Sequence, residues 1–338
     1  MLNYIGSKKT LLPFLDAHIK PVCVNDTVFA DLFAGTGVVA RHFKGACKHV
    51  ITNDAEYYSF VVNYAMLRCD YSDKLCECIE RLNAIAGVDG LMARHFSIER
   101  QFFTESNARK MDAIRQQIQA WKDVEYIDLP EYYFLIACLL CAADKVANTA
   151  SVYGSYLKQF KASAMKDLVV LPIHQDASVT TADHNVYQGD ALSLILDTGF
   201  ACDVAYIDPP YNHRQYAANY SPLNYLALYD DLVQIKGKGG LINNYFKSPF
   251  CQKANAADSF ESLIKNTKAK HIFVSYNNEG LLSHDDMIGI FQKFGRVTLH
   301  TREYKKFLSQ RKACGAKIVT EYLFHIDRSD SHAATPCC

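Results

Sequence analysis

Two rhythms of apolar residues alternate along this chain. Short apolar runs that stop at a charged or turn-forming residue occupy 28–33, 50–54, 186–189, 201–207 and 270–276, and they predict buried strands. Between them, apolar positions recur at helical spacing over 11–19, 37–43, 57–67, 223–233 and 283–294. The last of these opens on Ser283 and Asp286, a helix-capping pair. Strands alternating with helices predict an open α/β sheet, mostly parallel. The rhythm breaks over 69–185, where 73–85, 105–121 and 131–148 are helical, with Gly87, Gly90 and Pro130 between them and a polar loop at 176–184. Near the end, 296–302 and 317–326 alternate as two strands joined by a basic loop, an antiparallel hairpin that closes the sheet.

This divides the chain into an α/β unit made of 1–68 and 186–328, a helical insertion at 69–185, and a tail at 329–338 without periodicity, expected to fray. Within the α/β unit, the polar stretch 212–219 predicts a mobile flap over the site, and Lys236-Gly237-Lys238-Gly239-Gly240 a flexible loop.

Composition narrows the class. At 338 residues the chain exceeds a typical single domain, and 49% hydrophobic with 21% charged residues is ordinary for a soluble globular protein. Twelve cysteines without a signal peptide read as reduced thiols and a cytoplasmic location. Cys138 and Cys141 form a C-x-x-C, but they sit in the apolar run 132–143 with no second pair at zinc spacing, so a core helix and no metal site is expected. That run is also too short to cross a membrane.

A net charge of zero argues against a nonspecific nucleic-acid binder. Positive charge is nevertheless segregated. Arg302, Lys305, Lys306, Arg311 and Lys312 form one basic group, and Lys145, Lys158 and Lys161 a second, next to the polar stretch containing Tyr153. These are the candidate contacts to DNA, although runs of charge are more commonly solvated faces.

The candidate chemistry lies at the strand ends. Asp31, Asp54, Asp190 and Asp208 stand at or near the ends of four predicted strands. In a doubly wound sheet these ends share one crevice, and four carboxylates gathered there call for a counter-charge. Gly35 and Gly37 follow the first strand and open a helix, and a side chain there would hold a ligand off the backbone. The segment also fits the dinucleotide fingerprint, with Asp54 near the place of its ribose-binding acid, so a nicotinamide or flavin enzyme is a rival. That rival leaves Asp31 without a task. S-adenosylmethionine, a sulfonium with a ribose and an adenine, uses all four acids: Asp54 takes the ribose, Asp190 the adenine amine, and the glycine turn the methionine part. Gly6 and Lys8, at a turn before the first helix, suit an anionic or carboxylate group, or a plain helix start.

Asp208-Pro209-Pro210-Tyr211 closes an apolar strand. Each proline holds the preceding residue extended, so the Asp208 carboxylate and the Pro209 carbonyl can form a fixed pair of acceptors beside an aromatic ring. Such a pair can take both hydrogens of an adenine amine and free its lone pair, while Tyr211 stacks on the base. Alone, the same residues could equally form a Pro-Pro turn.

Together these motifs resemble the amino-group DNA methyltransferases of the Dam and EcoRV-like (D12) class. The resemblance covers nearly the whole chain in order: residues 3–8 as the N-terminal cofactor motif, 33–37 as F-x-G-x-G, Asn53-Asp54 as the ribose acid, Gly189-Asp190 as the adenine-side motif, and Asp208 to Tyr211 as D-P-P-Y. It implies a Rossmann-like S-adenosylmethionine-dependent fold with a helical target-recognition insertion. It further implies methyl transfer to the N6 amine of an adenine flipped out of duplex DNA, without a metal, in an enzyme paired in the cell with a restriction endonuclease for the same site. Tyr4, Gly6, Lys8, Asp31, Phe33, Ala34, Gly35, Gly37, Asp54, Asp190, Ala191 and Asp208 would bind cofactor, and Asp208, Pro209, Pro210 and Tyr211 would carry catalysis. Tyr4 departs from the Trp that Dam-like enzymes can carry there; both stack. Ser275 to Gly280 also resembles an element of enzymes that modify short sites containing A-T-G. Asp208, where cytosine enzymes tend to have Ser, favours adenine over N4-cytosine.

Overall fold

A computed structural model of the protein describes residues 2, 6–24, 26–150, 152–174, 184–306 and 317–329. Helix α1 (Leu12–Ile19) precedes β1 (Val28–Asp31), α2 (Val38–Lys44), β2 (His49–Asp54) and α3 (Tyr57–Arg68). The helical stretch follows: α4 (Asp73–Ala84), α5 (Leu91–Ala93), α6 (Glu105–Asp123) and α7 (Leu129–Lys145). Then come β3 (Asn185–Gln188), α8 (Ala191–Thr198), β4 (Ala201–Ile207), α9 (Tyr216–Asn219) and α10 (Ser221–Leu228). A small hairpin of β5 (Ile235–Lys236) and β6 (Leu241–Ile242) leads to α11 (Lys253–Asn266), β7 (Lys268–Asn277), α12 (His284–Phe291), β8 (Arg296–Lys306) and β9 (Lys317–Asp327).

Seven strands form one sheet in the order β3-β2-β1-β4-β7-β9-β8. The first five are parallel, and β9 and β8 add an antiparallel hairpin on the β7 side. The chain reverses its direction of winding between β1 and β4, and the crevice above that junction is where a doubly wound sheet binds its ligand.

Period-two alternation buries both faces of the sheet. Val204 and Tyr206 of β4 join α1 and α2 through Leu15, Ile19, Val39 and Phe43, whereas Ala205 and Ile207 join α8, α11 and α12 through Ile195, Phe260, Leu263 and Phe291. A third cluster combines α3 with α4, α6, α7 and α10. Its centre is α7, apolar on all sides and buried from Phe134 to Asp144, Cys138 and Cys141 included. A reciprocal capping box starts that helix: Glu131 N–H donates to Asp128 (2.8 Å), and Asp128 N–H donates to Glu131 (2.9 Å).

Four local expectations change. Residues 212–219 carry α9, and Gln215 is clasped to Ser248 by two hydrogen bonds of 2.8 and 3.3 Å, so the segment is tied down. Helix α10 begins early, on Ser221-Pro222, and stops at Leu228 because Tyr229 turns left-handed (φ 51°) to donate to Asp112 at 2.6 Å. The loop at 236–240 is the turn between β5 and β6. The capped helix α12 ends at Phe291, not at 294. The polar loop at 176–184 and the tail lie almost wholly outside the described residues. Among the described residues, no helix is long and apolar enough to cross a membrane and no group of side chains could hold a metal ion.

Candidate active site

The ends of β1, β2 and β4 and the turns after them line a cavity that is open at its mouth. Gly6, Lys8, Asp31, Phe33, Ala34, Gly35, Asp54, Asp190, Ala191, Asp208, Pro209, Pro210 and Tyr211 all line it. Every catalytic and cofactor candidate is therefore there except Gly37, which stands behind the wall, and Tyr4, which lies outside the described residues.

The glycine turn is held from below. Gly37 caps α2 with a φ of +72°, and a Cβ on it would meet Asn63 Oδ1 at 2.6 Å. Asn63 (3.0 Å) and Ser59 (2.5 Å), both on α3, donate to the Gly35 carbonyl. From the β2 side, Asp54 accepts from the Gly35 N–H at 2.7 Å and, through its other oxygen, from the Glu56 N–H at 2.9 Å. Asn53 donates to the carbonyls of Leu32 (3.2 Å) and Gly189 (3.1 Å), joining the turns after β1 and β3. Asp190 caps α8, one oxygen accepting from the Ser193 N–H at 2.9 Å and hydroxyl at 3.1 Å.

The acids are not equivalent. Asp31 is 1% exposed, and among the described residues its Oδ1 has no hydrogen-bond partner. Burial and then the neighbouring Asp208 push its carboxyl well above the usual range. Asp54 is raised by burial against the backbone N–H groups that it accepts from. Asp208 pairs with Lys8, whose Nζ is 3.0 Å from Oδ1. Burial lifts Asp208 and Lys8 pulls it back, leaving it at about 6. Burial opposes the Lys8 ammonium, but Asp208, then Tyr206 and Glu321, hold its pKa well above the ordinary lysine value. Lys8, read from sequence as a cofactor contact, thus also touches the carboxylate of the D-P-P-Y motif. Its Nζ also lies 5.9 Å from the centre of the Tyr211 ring, and that ring meets Tyr276 edge-on at 5.8 Å.

Several lining residues escaped the sequence reading. Glu56 is 7% exposed, raised to about 8 by burial and by Asp54, and bonded to the Asn224 amide. Its place two residues after Asp54 was a signal. Phe246 and Ser248 also line the cavity and no local pattern marks them, whereas Gln215 and Tyr216 belong to the polar stretch 212–219 expected over the site.

The DNA candidates fare unevenly. Lys145 and Lys158 are exposed. Lys161 is half-buried and donates to the Thr149 carbonyl at 2.7 Å. Tyr153 must be withdrawn: it is 1% exposed, packed against Phe102 and Tyr220, and its hydroxyl donates to Asp144 at 3.1 Å. Arg302 is half-buried on β8. Arg311 and Lys312, and the side chains of Lys305 and Lys306, lie outside the described residues.

The arrangement matches known proteins. The chain is 46% identical over 318 residues to the Type II methyltransferase M.NlaIII of Neisseria lactamica, a match covering 92% of this chain and 93% of that protein. It is 38% identical over 332 residues to the Type II methyltransferase M.CviAII of Paramecium bursaria Chlorella virus 1, covering 96% and 98%. To the Type II methyltransferase M.FokI of Planomicrobium okeanokoites it is 32% identical, over 97% of this chain but 53% of that protein. The family described as D12 class N6 adenine-specific DNA methyltransferase matches residues 4–290. With its glycine turn, its strand-end acids and its D-P-P-Y motif in one cavity, the chain belongs to the D12 class of N6 adenine-specific DNA methyltransferases and is an enzyme of that class.

Proposed function

We propose that this enzyme transfers the methyl group of S-adenosylmethionine to the N6 amine of an adenine flipped out of duplex DNA, at one specific site, in the cytoplasm, as the modification half of a restriction–modification system. The observation that carries this reading is the buried Asp31 carboxylate with an unpartnered oxygen, lining the same cavity as Asp208. A cationic ligand supplies the charge that Asp31 lacks.

The donor set fits the cofactor. Asp54 would take the ribose hydroxyls with lone pairs left over from the backbone, Asp190 the adenine amine with its second oxygen, and the Gly35 turn and Lys8 the amino-acid end. When bound, S-adenosylmethionine supplies an electrophilic methyl carbon. The chain's own part is to present the amine. Asp208 and the Pro209 carbonyl each accept one amine hydrogen, and Pro210 keeps both acceptors from rotating away. Tyr211 stacks on the base, which must leave the duplex to reach a cavity of this depth. As the N–C bond forms, the amine loses one proton, for which Asp208 is the nearest base.

The test is transfer of radiolabelled methyl from S-adenosylmethionine to duplex DNA, followed by nucleoside analysis and modification-sensitive sequencing. Label on N6 of adenine at one short sequence supports the reading. Label on cytosine N4, or DNA binding without label, would refute it.

A further inference from the structure

The target amine and Lys8 compete for one carboxylate. In this structure Lys8 Nζ stands 3.0 Å from Asp208 Oδ1, yet Asp208 must accept an amine hydrogen during transfer. Lys8 is only 5% exposed, so its ammonium calls for a second counter-charge within the site when the base arrives.

A second carboxylate is built beside it. Glu321, on β9, is 3% exposed. It pairs in register with Asn277 at the end of β7. Two residues along β9, Leu323 packs with Leu15 and Ile19 of α1. Period two puts Glu321 on that same face, at the edge where the chain enters α1 just after Lys8. The charges facing this point are Asp31 from β1, Asp208 from the end of β4, Glu321 from β9 and Arg302, its register partner on β8, with the Tyr206 and Tyr211 phenols beside them. The buried Asp31 and Glu321 and the part-buried Asp208 thus stand around the buried ammonium of Lys8, with the half-buried Arg302 opposite Glu321 in register. Glu321 lies beyond the residues that the family description matches, which end at 290.

We propose that Glu321 is the second seat of Lys8: when the target amine takes Asp208, Glu321 carries the ammonium, and it is thus a positioning residue for the acceptor carboxylate. The inference rests on the reading of Asp208 as the amine acceptor. Without Glu321, the Lys8 ammonium has one fewer carboxylate of the chain to move to, stays on Asp208, and the amine meets an acceptor already filled.

Glu321→Gln keeps the shape and removes the charge, and Glu321→Asp keeps the charge. Both are compared with wild type for S-adenosylmethionine affinity by calorimetry and for methyl transfer to duplex DNA over a range of pH. In the Gln variant kcat falls about tenfold while cofactor affinity stays within about threefold. The acid limb of its kcat profile moves to lower pH, because Asp208 loses a like-charged neighbour and keeps Lys8 to itself. The Asp variant recovers much of the rate and returns the limb toward its wild-type position. An unchanged kcat and profile in Glu321→Gln would overturn the proposal. So would a slower enzyme whose acid limb has not moved and which Asp does not rescue, since packing alone explains that. Failure of the wild type to label adenine would instead refute the assigned reaction, and this role for Glu321 with it.

Discussion

Asp208 sits where burial and Lys8 pull in opposite directions, with its carboxyl left at about 6. Accepting an amine hydrogen requires the anion, so kcat should fall as the pH drops through about 6, and the limb should vanish with the activity in Asp208→Ala. In that variant, cofactor affinity should stay within about tenfold. Retained methyl transfer would rule out the acceptor pair. Glu56 offers a test of burial by itself. Its folded carboxyl is raised from 4.5 to about 8, so between those values the folded state holds a proton that the unfolded state has lost. Stability from this group falls as pH rises through that window, and the full cost of a buried charge is present above it. Glu56→Gln should therefore melt higher than wild type at about pH 9 and close to it at about pH 4; a difference that does not change with pH would show that the carboxyl titrates alike in the folded and unfolded states. Asp31, Asp54, Asp190 and Asp208 were legible because each follows an apolar run. Glu56 and Glu321 were not, since what makes them matter is burial by segments distant in sequence.

Single elements fix the cavity walls. Gly37 needs its left-handed turn and has Asn63 where a Cβ would go. Gly37→Ala should displace Asn63 from the Gly35 carbonyl and cost about 1 kcal/mol in backbone strain. Cofactor affinity should fall by about tenfold, measured by calorimetry; unaltered affinity would show that the turn tolerates the shift. Helix α10 is the other such element. Asn224 on it accepts from the Tyr58 N–H at 2.9 Å and donates to Glu56, while Arg115 of α6 donates to its Ala227 carbonyl at 3.3 Å. Just past its end, Tyr229 donates to Asp112. One short helix thus ties the cofactor side to the helical stretch. The start of α12 was readable from its cap, but the end of α10 was not, because a buried carboxylate on α6 sets it.

At the scale of the whole molecule, neutral net charge and segregated basic groups predict that DNA affinity rests on few contacts. Neutralising Lys305, Lys306, Arg311 and Lys312 should flatten the log–log salt dependence of DNA binding by about one unit for each true phosphate contact. An unchanged slope would move the DNA surface elsewhere, to the exposed Lys145 and Lys158 first. The parallel sheet, its antiparallel closing pair and the helical stretch were all legible from the two rhythms of apolar residues. How the helical stretch packs was not. Helical periodicity shows that a face is buried and leaves open against what, and here α7 is buried against α3 and α10 as well as α4 and α6.

That shared interior bears on how such an enzyme could acquire a new target word. If the helical stretch reads the DNA, exchanging 69–185 for a relative's segment transplants half of a core whose other half, Val61, Val62, Tyr225 and Leu226, stays behind. Grafts cut at those limits should yield insoluble or inactive protein unless the staying residues are matched to the donor. Diversification, natural or designed, is steered toward the loops leaving these helices, where side chains can vary without disturbing the assembly of the catalytic cavity.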